Sequence, residues 1–288
     1  KLNDNYIQEK YQISSDYFDI IENNGEVVNG DTIAFSELYS LLENSDFTID
    51  EQYEKIKQIV DIDSYINFAI TEIYVANKSW GHNIICWRPK NRVGAKWKWM
   101  LQDLDRGLDT NHINSNFIVR MTQNNSNWNT IALRNLLKNQ EFEGRFISKL
   151  SDHLYITFHP NIVQQQIDLF KNKIINEMPY HIDRWKNTTS SYGSGISSFN
   201  KWINKIDEKN IFAKQRAKVV MTNMIDKFGL EGAVNLRISV NDKKFGKVRI
   251  NNLFVPDSVW EGEYVKGIPI TFEAFPESGY KFAYWMIN

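Results

Sequence analysis

Asn77-Lys-Ser-Trp-Gly-His-Asn-Ile-Ile-Cys-Trp-Arg88, then Pro89–Ala95, then Lys96-Trp-Lys-Trp-Met-Leu-Gln-Asp-Leu-Asp105-Arg-Gly107, is the stretch on which the reading of this chain turns. Pro and Gly in the middle segment mark a turn, and the apolar, aromatic-rich flanks suit strands. His82–Arg88 and Lys96–Asp105 are therefore predicted to form a hairpin. Alternation by two puts Trp97, Trp99, Leu101, Asp103 and Asp105 on one face of the second strand. Two carboxylates that close repel unless a cation or a basic partner holds them, and a divalent metal answers that need. The other reading has one acid capping the following loop and the other paired with Arg88 or Arg106.

Upstream of the hairpin, Asn5–Gln12 reads as a polar helix, followed by an extended run Tyr17–Ile21 and a Gly-containing turn at Asn24–Gly30. A helix then has apolar residues at Phe35, Leu38, Leu41 and Leu42. Ser45, Asp46 and Thr48 offer caps for the next helix. Ile56, Val60, Tyr65, Phe68, Ile70, Ile73 and Tyr74 mark one long, mostly buried helical region that stops at Ala76 and Asn77.

Downstream, residues 106–130 are rich in Asn, Ser and Thr and weakly periodic, which suits a long loop, either functional or a plain surface excursion. Thr130–Gly229 reads as helical in several segments, with apolar rows at Leu133, Leu136, Leu137 and at Phe142, Phe146, Leu150, Leu154. A Ser/Gly patch at Thr188–Ser198 interrupts them. Gly229 suits a helix stop. After it come short alternating strands at Val234–Val240, Lys247–Ile250, Ile268–Ala274 and Lys281–Met286, so a domain boundary is placed between residues 230 and 231.

With 288 residues, 42% of them hydrophobic, the chain has ample material for a packed core. The 34 basic and 35 acidic residues leave a net charge of -1. That balance argues against wholesale attraction to nucleic acid or to an anionic membrane. The one cysteine, Cys86, rules out an internal disulfide and sits in an apolar run, where a buried, inert thiol is expected. No apolar stretch approaches the roughly 20 residues that span a bilayer, and no signal sequence is present. The sequence opens in helix-like residues at Lys1, which leaves room for an upstream segment.

The two halves of the hairpin stretch resemble the CotH spore-coat kinase family. Its members read Asn-x-Asp-Trp, then Asn, then a strand ending in Arg, then Lys-Trp and an Asp-x-Asp strand. The likeness extends to Tyr6–Tyr11 with Asp19-Ile20-Ile21, to Gly30-Asp31, and to Val60-Asp61-Ile62-Asp63. It continues through Glu141–Phe146, Glu177-Met178 with His181 and Arg184-Trp185, and Arg216 with Phe228-Gly229. It covers residues 1–230.

The resemblance implies an α+β, protein-kinase-like fold: a mostly helical C-lobe with a small β-hairpin active-site region, then a small all-β domain at 231–288. It implies Mg²⁺ and ATP as cofactors, with Asn83 and Asp103 as metal ligands and Asp105 as the second acid of the cofactor site. In such kinases an aspartate orients the attacking hydroxyl. The family aspartate before Trp80 is Ser79 here, and a hydroxyl cannot hold a substrate proton as a carboxylate does. His82 is the nearby substitute base, or else an ordinary turn residue. The family's nucleotide-gripping N-terminal strands and lysine are expected to lie outside these residues.

Implied acceptors are hydroxyls of extracellular or coat proteins, and the implied location is secreted or envelope-associated. The alternative is a catalytically impaired scaffold, perched in a surface or polysaccharide-handling assembly. Glu177, His181 and Arg184 recur on one helix face, as a ligand site or as a surface ion pair beside a packing Trp185. The tail, with Trp260-x-Gly-x-Tyr and Gly279-Tyr-x-Phe-x-x-Trp285, resembles small β-repeat modules of bacterial surface proteins. Its aromatics are expected in a core, with sugar stacking as the alternative.

Overall fold

Phe18–Glu22 has no exposed face: all five residues are buried. A strand of that kind needs partners on both edges, and this one (β1) has them. After a first helix, α1 (Asp4–Tyr11), the chain runs through β1, β2 (Glu26–Asn29), α2 (Ile33–Asn44), α3 (Asp50–Ile59) and α4 (Ile62–Val75). The predicted hairpin follows as β3 (Ile85–Pro89) and β4 (Lys98–Met100). The four strands form one antiparallel sheet in the order β2-β1-β3-β4. Ile7, Ile13, Phe18, Ile20, Ile85 and Trp87 make an apolar cluster on it.

The computed structural model describes residues 4–125, 127–190 and 193–287. They divide into two compact units. One holds the residues up to Gly107, Ser115–Leu150 and Asp226–Phe228; the other holds Leu108–Asn114, Ser151–Ile225 and the residues from Gly229 on.

In the first unit β1 carries an acid, Asp19, with no exposed surface. Its carboxylate accepts from Arg88 Nε at 3.0 Å and pairs with Lys90 Nζ at 2.9 Å. Arg88 is the residue directly across the ladder. Arg88 is thus committed to Asp19, and its guanidinium also lies over the Trp97 ring. The expected alternative partner for Arg88, an acid of the Asp103/Asp105 pair, is not the one it takes.

The single long helix expected over residues 56–75 is two helices. Asp61 N–H donates to Trp97 O and Trp97 N–H to Ile59 O, a strand-like exchange that pulls Val60 and Asp61 out of helical register. The Asp61 side chain then caps α4 by accepting from Ser64 N–H at 3.0 Å. The cap expected of Ser45, Asp46 or Thr48 is not made either: α3 begins at Asp50, and Asp46 instead accepts from Thr48. α4 is buried nearly all round, as a central helix must be.

Two further expectations are corrected here. β4 ends at Met100, and Asp103 is left-handed (φ 51°), so the alternation stops before the acids. Leu101 is accordingly exposed while Trp97 and Trp99 are buried. Residues 106–130 are not one loop: α5 (Phe117–Met121), capped by Asn116 Oδ1 on Val119 N–H, buries Phe117, Ile118 and Met121. α6 (Trp128–Leu136) and α7 (Gln140–Tyr155) follow, and Phe142 and Phe146 enter the core with the expected spacing.

The second unit continues with α8 (Pro160–Ile174), α9 (Met178–Trp185), a short hairpin β5 (Thr189–Ser190) and β6 (Gly193–Ser194), and α10 (Phe199–Phe228). Two cations on α10 hold the segment 108–114. Lys209 Nζ donates to Leu108 O at 2.9 Å, and the fully buried Arg216 donates to Ile113 O at 2.5 Å. Gly229, at φ 62°, ends α10 as expected.

The strands after it are β7 (Ala233–Ser239), β8 (Gly246–Ile250), β9 (Leu253–Phe254), β10 (Val259–Val265) and β11 (Phe272–Pro276). They form a β10-β7 pair and a β11-β8-β9 sheet. Their core of Ile238, Val248, Ile250, Val255, Trp260 and Tyr264 takes in Ile156. Polar contacts join the same parts: Tyr264 Oη and Asn251 Nδ2 both donate to Asp152 Oδ1 at 2.8 Å. Lys281–Met286, expected as a strand, has no regular structure. Tyr280, Phe282, Tyr284 and Trp285 are exposed instead of packed. The fold class is α+β with a C-terminal all-β part.

Removing the buried acid from β1 should be costly, because Arg88 and Lys90 would lose their shared counter-ion. We expect Asp19→Ala to lower the unfolding free energy in urea by about 3 kcal/mol. A loss below about 1 kcal/mol would mean that the pair behaves as an exposed one.

Candidate functional site

The candidate residues lie on two turns at the C-terminal end of α4. The helix stops in a Schellman arrangement: Asn77 N–H reaches back to Glu72 O and Ala76 N–H to Ile73 O, with Ala76 left-handed at φ 54°. Glycine usually fills that position. An alanine there costs about 1 kcal/mol, so the surrounding packing must fix the turn. Asp103, which opens the second turn, is another non-glycine residue in the same region. Strain of this kind collects at functional sites. Close packing joins the second turn to the helix end, since a Cβ on Gly107 would meet Val75 Cβ and Val75 O at 3.1 Å.

The first turn, Asn77–Asn83, is held from several directions. Asn77 Oδ1 accepts from Ser79 N–H at 3.0 Å, and Trp80 is buried edge-on against Phe68. Arg120 of α5 donates to Lys78 O at 3.3 Å and Asn129 of α6 to Gly81 O at 3.1 Å. A Cβ at position 81 would lie 2.6 Å from Asn129 Nδ2, so the Asn129 side chain would have to shift to admit it.

Asn83 and Asp103, 20 residues apart in sequence, meet here: Asn83 Nδ2 donates to Asp103 Oδ2 at 3.0 Å. Asp103 is exposed and Asn83 half-buried. Asn83 Oδ1 and the Asp103 carboxylate are hard oxygens, a chemistry that fits Mg²⁺, which takes one or two protein oxygens and keeps its waters. Among the described residues, no group of three or more His, Cys, Asp or Glu side chains could hold a metal ion.

Asp105 is exposed on a 3-10 turn, Leu104–Arg106, and among the described residues no hydrogen bond joins it to Asn83 or Asp103. Ser79 is buried with φ -91° and ψ 2°, the sparsely populated bridge region where many active-site residues sit. His82 is exposed, and its backbone N–H donates to Ser79 O at 3.0 Å. Cys86 is buried, and burial pushes its thiol up, away from the reactive thiolate. Glu177, at the N-cap of α9, and His181 and Arg184 on the helix are exposed, and the Arg184 guanidinium lies over the exposed Trp185 ring.

One residue of this region escaped the sequence reading. Glu72, in the last turn of α4, has no exposed surface, and burial raises its carboxyl to about 7 against the opposing effect of the Asn77 amide. The signal was present in the sequence, as the one charged residue between Ser64 and Val75.

Among the described residues, no helix is long and apolar enough to cross a membrane. No curated protein and no solved structure matches the chain. A family model does: that of the CotH kinase protein family, over residues 2–220. That match takes in both turns, the α4 helix and the sheet, and the chain belongs to the CotH kinase family.

Proposed function

We propose that this kinase-like chain holds the Mg²⁺ of a nucleotide such as ATP at Asn83 and Asp103, and that Ser79 leaves it a weak phosphoryl-transfer catalyst or a nucleotide-binding scaffold. The observation that carries the reading is the 3.0 Å contact between Asn83 and Asp103. When bound, Mg²⁺ would offset the charge of the phosphates. Asp103 would supply a carboxylate oxygen and Asn83 a carbonyl oxygen, with Asp105 close by in sequence on the same turn.

Transfer to a protein hydroxyl also needs a group that takes the proton of the attacking oxygen. Ser79 stands where the family has that carboxylate, and its hydroxyl has no basic character near neutral pH. His82 is the nearest side chain in sequence that could replace it. Acceptors of the kind implied by the family, hydroxyls of extracellular or coat proteins, fit this reading, as does a secreted or envelope location.

A second reading draws on the tail. Phe272, Phe282 and Trp285 are exposed with neighbouring ring centroids 6.2 and 5.0 Å apart, which suits stacking against a sugar face in a polysaccharide-associated assembly. Glycan binding that disappears in a Phe282→Ala, Trp285→Ala double variant would favour it.

Calorimetric titration tests the metal site with the 288-residue chain and its Asp103 variant. Mg²⁺-ATP binding is expected to weaken at least tenfold in Asp103→Ala, about 1.4 kcal/mol. Equal affinity in the variant, or no binding by either chain, removes the proposed site. Restoring the carboxylate should separate binding from transfer. In a chain that binds Mg²⁺-ATP, Ser79→Asp is expected to raise phosphate incorporation into a protein acceptor about a hundredfold with little change in nucleotide affinity.

A further inference from the structure

Between Glu72 and Asp103 the chain carries Lys78, Arg88, Lys90, Arg92, Lys96 and Lys98 and not one acid. All but Lys78 fall in the β3–β4 hairpin and its turn. The turn bends through two left-handed residues, Asn91 (φ 55°) and Gly94 (φ 72°), and Arg92 and Val93 stand exposed between them. It encloses an open groove of about 500 Å³, lined by residues 88–93 and Ala95. Three of the lining residues are cations, and no acid is among them.

Two of these cations are fixed by a buried acid. Arg88 Nε donates to Asp19 Oδ2 at 3.0 Å, and Lys90 Nζ lies 2.9 Å from Asp19 Oδ1. Asp19 has no exposed surface, whereas the Arg88 and Lys90 side chains are 28% and 22% exposed. One carboxylate thus holds two cations at the surface and cancels one of their charges. Among the described residues, the Nη groups of Arg88 have no hydrogen-bond partner and Arg92 has no ion pair. Two further acids lie on neighbouring segments. Asp31, whose N–H donates to Asp19 Oδ1, uses its own carboxylate on Ile33 N–H at 2.9 Å. Asp16 belongs to the turn whose Tyr17 O accepts from Lys90 N–H. Among the described residues, neither pairs with Arg88, Lys90 or Arg92.

Guanidinium donors with spare charge suit an oxyanion, and three cations on one groove suit a doubly charged one best. A phosphate monoester carries a charge of about −1.5 to −2 at neutral pH and three strong acceptor oxygens. The extent of the patch decides what bears that phosphate. The net charge of the chain is -1, so no extended basic field tracks a polyanion such as nucleic acid or a charged membrane. Pro89, Val93 and Ala95 give the groove apolar walls, which suit the residues flanking a phosphorylated side chain.

We propose that the hairpin groove is a docking site for a phosphoserine or phosphothreonine on a protein chain, with Arg88, Lys90 and Arg92 on its phosphate. β3 runs from Ile85 to Pro89, and Ile85 pairs with Met100. The groove is therefore at the end of the hairpin opposite to Asn83 and Asp103, and the proposal does not rest on the cation site.

Fluorescence anisotropy of a labelled, alanine-rich peptide with one phosphoserine, titrated with the 288-residue chain, tests this. The phosphopeptide is expected to bind at least about tenfold tighter than its unphosphorylated twin, and less tightly as salt is added. Arg92→Glu leaves Asp19 its two cations and should weaken binding at least about tenfold. Asp103→Ala should bind the phosphopeptide as the unsubstituted chain does. Equal binding of the two peptides, or unchanged affinity in Arg92→Glu, overturns the proposal. So does a loss in Asp103→Ala as large as that in Arg92→Glu, which would put the phosphate at the nucleotide site. Inorganic phosphate that competes as well as the phosphopeptide would overturn the assignment to a protein chain. Failure of Mg²⁺-ATP binding would remove the proposed function and leave this result intact.

Discussion

A wholly buried helix has to end somewhere, and α4 ends on the turn that carries Ser79 and Asn83. Its last carbonyls are satisfied by the Schellman bonds from Ala76 and Asn77, at the expense of a left-handed alanine. Ala76 has no exposed surface, so the turn cannot relax outward without opening the core. From there the direction of the chain is set: Trp80 goes in against Phe68, Gly81 goes under Asn129, and Asn83 comes out beside Asp103. The Asn83–Asp103 contact is therefore inherited from the packing of this turn.

Charge inside this molecule is handled in three ways. Asp19 is neutralised by cations from the neighbouring strand and its turn, which locks β1 to β3. Arg216 keeps its charge and spends its donors on the carbonyls of residues 112 and 113, so a side chain does the work that regular backbone pairing would do elsewhere. Glu72 has neither kind of partner, and a carboxyl in that position lowers its free energy by taking up a proton.

The hairpin and the stop at Ala76 were legible in the sequence because Pro89, Gly94 and the apolar runs beside them leave few alternatives. The helical rows at Phe142, Phe146 and Leu150 were legible for the same reason, since periodicity reports burial directly. What escaped depends on contacts between distant segments. Val60 leaves the helix because Trp97 offers strand-like bonds, and no local propensity encodes that. The Asp-x-Asp alternation breaks because Asp103 adopts a left-handed conformation, which aspartate tolerates but does not announce. In the tail, Tyr280, Phe282 and Tyr284 alternate like a strand, yet they have no ladder partner and stay in solvent. Of the candidate residues, the resemblance singled out Asn83 and Asp103, and only the fold brings them to 3.0 Å. Glu72 was visible as a lone charge in an apolar helix, but its meaning comes from the absence of a partner, which a sequence cannot display.

On the proposed reading, metal binding and proton transfer would make different demands on these turns. A cation needs hard oxygens, and on that reading Asn83 and Asp103 would supply two without reference to position 79. Proton transfer needs a basic group placed on the acceptor side, and its effectiveness depends on the pKa of that one group. Replacing a carboxylate with a hydroxyl at position 79 removes the base while the backbone of the turn can keep its shape. The Asn77 amide, the Trp80 ring and the Asn129 clamp all act on atoms other than the Ser79 side chain. The geometry of the turn thus does not depend on the Ser79 side chain.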